Sequence, residues 1–172
     1  PGLGLERLDL LTEVLNLLTE NQKLVIDGSA LTLFAREHLD LPFPENTVFT
    51  PHEMELERLS GLKIGQQTKE EVQDFVNQLG AIVVAKSSET RIFAPNRESF
   101  ILKIGSPAQA TGGMGDTLAG MVGGFLAQFH GETEEVVAAA TYLHSLIASV
   151  LAQKTYVVLP SRLFPSFAFL VR

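Results

Sequence analysis

The run Ala110-Thr111-Gly112-Gly113-Met114-Gly115-Asp116-Thr117-Leu118-Ala119-Gly120 sets a turn poor in side chains directly before a carboxylate and an apolar helix. Glycines without a Cβ let the backbone approach a ligand closely. A helix opening at about Gly113 aims unpaired amides and its positive dipole end at that place, which suits phosphate. An acid there repels phosphate, and makes sense where it takes a proton from a group attacking the phosphorus. The combination points to phosphoryl transfer. For Asp116 the local sequence leaves two readings equally open: a general base, or an acid that merely decorates a helix's first turn, where acids are favoured.

Downstream of this turn, residues 116–129 and 133–153 read as two long helices rich in small residues. A last apolar helix is expected over 161–172, after Pro160 and despite Pro165. Upstream, strands alternate with helices. Leu8, Leu11, Leu15 and Leu18 have helical spacing within 5–20, and 23–26 is a short apolar strand ending at Asp27-Gly28. Ser29 is expected to cap a helix to about His38. After a loop with two prolines, 47–49 reads as the next strand. Thr50 is the expected cap of the following helix, with Pro51 at its first position and Glu53 completing a capping box. That helix should stop near Gly61. Thr68 and Glu71 repeat the pattern for a helix halted by Gly80. Residues 81–85 form a continuous apolar strand, as for one covered on both faces. Residues 91–94 and 100–104 are expected to pair as a ribbon around Pro95-Asn96.

This alternation implies an α/β sandwich with a mostly parallel sheet. Ligands in such sheets sit beyond the carboxyl ends of the strands. Asp27, Thr50-Pro51-His52, Lys86 and the glycine turn all follow expected strands or open helices. Each has a bland alternative. Asp27 could hold a metal-bound water or cap a helix. His52 could bind a ligand or be a satisfied structural residue. Lys86 could meet an anion or snorkel from a strand end. The glutamates 53, 55 and 57 with Arg58 read as a solvated helix face, His144 as packing, and His38 and His130 as surface residues.

Composition limits the function classes. The 172 residues are 45% hydrophobic and 19% charged, which fits a compact globular body. A formal net charge of −7 argues against nucleic-acid binding through a basic face. With no cysteine, disulfides, thiolate catalysis and Cys-based zinc sites are excluded, and a cytoplasmic setting is expected. We find no signal segment and no apolar stretch of spanning length, so a membrane role is not expected.

The glycine turn resembles the anion-hole and catalytic-acid motif of the ribokinase-like superfamily. Pro1-Gly2-Leu3-Gly4, Asp27-Gly28-Ser29-Ala30-Leu31, Thr50-Pro51-His52-Glu53 and Lys86-Ser87-Ser88-Glu89-Thr90, in that order, are similar to motifs of the nucleotide-dependent NAD(P)H-hydrate dehydratases. The resemblance implies a single ribokinase-like three-layer domain over 1–172, lacking an N-terminal portion. It implies repair of NADHX or NADPHX with ADP (preferred) or ATP as co-substrate and Mg2+ as cofactor, in a homo-oligomer, dimer or tetramer. By the same resemblance Gly4 and His52 touch the hydrate, as does the catalytic Asp116. Lys86, Ser87, Ser88, Glu89, Thr90, Gly112, Gly113 and Gly115 surround the nucleotide, and no protein metal ligand is assigned. Ser87 stands where the family usually has Gly, and Met114 where it usually has Thr. Rival readings are a small-molecule kinase of hydroxyethylthiazole or hydroxymethylpyrimidine type, and a non-catalytic nucleotide-binding fragment.

Overall fold

The protein is described here by a computed structural model covering residues 2–170. Its contacts divide it into two compact units, Pro1–Ile101 and Leu102–Arg172.

The first unit holds a five-stranded sheet in the order β1-β2-β3-β4-β5. The strands are β1 (Leu24–Ile26), β2 (Thr47–Phe49), β3 (Ile82–Ala85), β4 (Arg91–Phe93) and β5 (Phe100–Ile101). β1, β2 and β3 run parallel, with Val25 opposite Val48 and Phe49 opposite Val83. β3, β4 and β5 are antiparallel, with Val84 opposite Ile92 and Ile92 opposite Phe100. The sheet is therefore mixed, where the sequence pointed to a mostly parallel one. Only five residues separate β3 from β4, too few for the crossover a parallel pair needs. The ribbon expected around Pro95-Asn96 is present, with Asn96 at φ +57°.

Helices α1 (Leu8–Leu17), α2 (Gly28–Arg36), α3 (Glu53–Ser60) and α4 (Lys69–Leu79) belong to this unit. Their apolar stripes meet strand residues buried on both faces. Leu11, Leu15, Leu31, Leu33, Phe34, Leu56, Val72 and Val76 share one cluster with Ile26, Phe49, Val83 and Phe93. The Phe34 and Phe49 rings lie 5.1 Å apart in a tilted pair. α4 starts and stops as its sequence dictates. Thr68 Oγ1 accepts from the Glu71 N–H at 3.2 Å, and Gly80 closes the helix at φ +73°.

The second unit contains α5 (Met114–Gln128), α6 (Thr133–Ala152) and α7 (Pro160–Leu170). α7 includes Pro165; the rest of the expected tail helix, Val171 and Arg172, lies outside the described residues. α5 packs on α6, and Met114, Ile147, Ala148, Val158 and Leu163 form a buried cluster. One expectation needs correcting here. α6 is long and apolar enough, by length and composition, to cross a membrane. Its two glutamates fall in the first turn, and the rest of the helix carries no charged residue. Thr141, His144 and Ser145 are buried together with Val137, Ala140, Ile147 and Ala148, so one face of the helix lies against protein while Tyr142 and Val150 stay exposed.

Candidate phosphoryl-transfer site

In the first unit three adjacent parallel strands end in polar residues. Asp27 follows β1, Thr50 follows β2 and Lys86 follows β3. The Thr50 N–H donates to the Ile26 carbonyl (3.2 Å) and the Lys86 N–H to the Pro51 carbonyl (2.8 Å), so pairing continues one step past the named strands. His52 and Lys86 form an isolated parallel bridge. The side chains then converge. Asp27 Oδ1 accepts from the Thr50 hydroxyl at 2.7 Å and from the Lys86 ammonium at 2.9 Å. Asp27 is only 3% exposed and Thr50 is fully buried.

This cluster corrects three expectations. Asp27 precedes α2 but its side chain makes no capping bond, because both bonds go to Thr50 and Lys86. Ser29 lies inside α2 instead of capping it, and its Oγ accepts from the Gly4 N–H at 3.0 Å. Thr50 is not the cap of α3: its hydroxyl is spent on Asp27, and the bond from Lys86 to Pro51 keeps the chain extended for two more residues.

The capping box therefore sits two residues later. His52 is the N-cap, with Nδ1 accepting from the Met54 N–H (3.2 Å) and the Glu55 N–H (3.3 Å). In return the Glu55 carboxylate accepts from the His52 N–H at 2.9 Å. With Nδ1 taken up as an acceptor, Nε2 is the ring nitrogen left to donate. Its side chain is 52% exposed, with Nε2 3.5 Å from Glu55. Glu55 is buried, unlike the solvated face expected of that run, because the box needs its carboxylate at the helix mouth.

Gly4, at φ +86°, occupies the left-handed region that favours glycine. Pro1 of the same motif lies outside the described residues. The loop after Lys86 is built by its own side chains. Ser87 Oγ accepts from the Glu89 N–H (3.1 Å), and the Thr90 hydroxyl donates to the Ser87 carbonyl (3.3 Å). Ser87 is not among the residues with positive φ, so glycine is not required there. Lys86, Ser87, Ser88 and Glu89 line a cavity of about 380 Å³ together with Lys69 and Arg91.

In the second unit the glycine turn leads into α5 as the sequence suggests. Gly113 is the N-cap at φ +86°, and no side chain caps the first turn. The start of α5 thus keeps unpaired amides at a mouth where Gly112, Gly113 and Asp116 are exposed. The turn is braced from behind. The Thr111 hydroxyl donates to the Val158 carbonyl (3.0 Å), the Val158 N–H donates to the Ala108 carbonyl (2.9 Å), and a Cβ on Gly113 would lie 3.2 Å from the Pro160 ring. Met114 is buried against Ile147, Val158 and Leu163. Its side chain packs into the core and not at the exposed mouth.

Within the first unit the structure brings together His52 and Lys86, and within the second Gly112, Gly113, Gly115 and Asp116. What sequence reasoning missed is the ion pair of Asp27 with Lys86 and the partnership of His52 with Glu55. Both had a signal: a polar residue directly after each apolar strand, and His-x-x-Glu at a helix entrance.

The sheet with polar residues at its carboxyl edge, flanked by helices, has the α/β architecture of the ribokinase-like fold. The chain belongs to the NAD(P)H-hydrate dehydratase family, whose pattern matches residues 1–167. Over 163 residues it is 99% identical to the ADP-dependent (S)-NAD(P)H-hydrate dehydratase of Lactococcus lactis, a match covering 95% of this chain and 59% of that protein. A ribokinase-like superfamily protein from Enterococcus faecalis superposes with a TM-score of 0.87 at 49% identity, covering 90% of this chain and 54% of that one. The ADP/ATP-dependent NAD(P)H-hydrate dehydratase from Bacillus subtilis, co-crystallised with ATP/Mg2+ and soaked with CoA, superposes at 0.81 with 28% identity, covering 95% and 60%. The chain thus spans less than two thirds of the length of the relatives it matches.

Proposed function

We propose that this protein dehydrates NAD(P)H hydrate at the expense of a nucleotide, ADP in preference to ATP, and so regenerates NADH or NADPH. The observation that carries the proposal is the uncapped mouth of α5, with exposed glycine amides and an exposed acid in its first turn. The amides of Gly112, Gly113 and Gly115 take the charge on the migrating phosphoryl group. Asp116 accepts the proton of the hydrate hydroxyl as that oxygen bonds to phosphorus and the bond from phosphorus to the nucleotide breaks. Phosphate then leaves the ring carbon, a neighbouring carbon loses a proton, and the ring double bond returns. Gly4 and the Nε2 donor of His52 hold the hydrate, and the loop of Lys86, Ser87, Ser88, Glu89 and Thr90 holds the nucleotide.

Mg2+ supplies charge neutralisation on the phosphoryl oxygens when it accompanies the nucleotide. Among the described residues no group of three His, Asp or Glu stands together. The reading extends over one ribokinase-like domain, supported by a family match that runs through both units. It places the reaction in the cytoplasm, the compartment holding the reduced nicotinamides and adenine nucleotides it consumes. It includes a homo-oligomer, supported by the exposed side chains of Phe129, Tyr142 and Val150 in the second unit.

Incubation with NADHX and ADP tests the proposal: the absorbance of reduced nicotinamide should return. Asp116→Asn should lower turnover by about a hundredfold or more, the loss of a general base, and leave ADP affinity unchanged. Near-normal turnover in that variant refutes the role of Asp116. A second reading is nucleotide binding without turnover. It is the correct one if ADP binds and the absorbance stays flat. Turnover of hydroxyethylthiazole instead marks a small-molecule kinase.

A further inference from the structure

A carboxylate buried as deeply as Asp27 is costly unless its charge is matched, and a lysine beside it has four flexible methylenes to arrange. The two residues are 59 positions apart in sequence, and the parallel pairing of β1, β2 and β3 brings them together. Lys86 is held at both ends. Its N–H donates to the Pro51 carbonyl at 2.8 Å, and its ammonium to Asp27 at 2.9 Å. Asp27 is held in turn by the Thr50 hydroxyl. The exposure is uneven: the Asp27 side chain is 4% exposed and that of Lys86 is 21%. Lys86 lines the cavity of the first unit, and Asp27 does not. An ammonium has three donors, so one bond to Asp27 leaves two for a ligand.

We infer that Asp27, steadied by Thr50, is the positioning residue that holds the Lys86 ammonium ready for the phosphates of a nucleotide. The inference rests on the reading of Lys86 as a nucleotide ligand given above. Its physical content is preorganisation: the long side chain is ordered before the ligand arrives, and binding does not bear that cost. The anchor is buried and does not line the cavity, so it occupies none of the space a ligand would fill.

Calorimetric titration of the full chain with ADP, on wild type, Asp27→Asn, Lys86→Met and the double variant, tests this. Lys86→Met should weaken ADP by about tenfold or more, the loss of a charged hydrogen bond. Asp27→Asn keeps the shape and one acceptor but loses the charge, and should weaken ADP by about tenfold. In the Lys86→Met background the same change should add less than about twofold, because the lysine it positions is gone. Independently of nucleotide, acetylation of Lys86 followed by mass spectrometry should be several-fold faster in Asp27→Asn. Thr50→Val should move both readouts in the same direction by less, and it replaces Asp27→Asn if that variant does not fold. Wild-type ADP affinity in Asp27→Asn, with Lys86→Met weakened, overturns the positioning role and leaves the nucleotide reading standing. Additive losses in the double variant, or unchanged acetylation, also overturn it. Wild-type affinity in Lys86→Met removes Lys86 as a ligand and the inference with it.

Discussion

Replacing His52 by alanine deletes one ring nitrogen that accepts two backbone N–H groups, those of Met54 and Glu55. At 3.2 and 3.3 Å both bonds are long, and the Met54 side of the turn is exposed, so water recovers part of the loss. The bond from the His52 N–H to Glu55 is made by the backbone and survives the substitution. The contact of Nε2 with Glu55, at 3.5 Å on a half-exposed ring, adds little. What remains is the loss of an N-cap, about 1 kcal/mol. For a chain of this size that lowers Tm by about 2–4 °C. His52→Asn restores an acceptor at the cap, where Asn ranks among the best residues, and should recover most of the stability. It does not restore the Nε2 donor. Urea unfolding followed by circular dichroism suits a chain without tryptophan. The two variants should then separate: both lose hydrate affinity, and only alanine loses stability. A His52→Ala variant as stable as wild type, or an asparagine variant no better than alanine, refutes the capping role.

Two further outcomes follow from the same geometry. Gly113→Ala forces a Cβ onto a residue at φ +86° and to 3.2 Å from the Pro160 ring; it should cost about 1–2 kcal/mol in urea unfolding and weaken nucleotide binding, and an unaffected variant would show that the turn can relax. Glu57 has its carboxyl held below the ordinary carboxylate range by the Lys63 ammonium, then by the Ile64 N–H. A depressed folded value means a contribution that is complete at neutral pH and lost as pH falls past about 4.3 and through the folded value. Glu57→Gln should therefore flatten the acid limb of a stability–pH profile, and an unchanged limb rules the pair out as a contributor.

Much of the fold was legible because its signals are local. Contiguous apolar runs marked β2 and β3, and Thr68, Gly61 and Gly80 marked helix ends through bonds that reach no further than four residues. The mouth of α5 was legible for the same reason: left-handed Gly113 and the acid in the next turn are neighbours in the chain. Reading failed where a side chain had a choice of partners. Thr50 looked like a cap, and a local view offers it nothing better.

Sequence alone determined where strands and helices would form, which residues would end them, and the chemistry of the glycine turn. All of that rests on backbone conformation and on hydrogen bonds within a turn or two. Only the tertiary structure decided that Asp27 would hold Lys86, and that Thr50 would serve Asp27 and pass the cap of α3 to His52. Those outcomes depend on strand order and register, which bring distant polar groups within hydrogen-bonding range and, once buried, oblige them to pair.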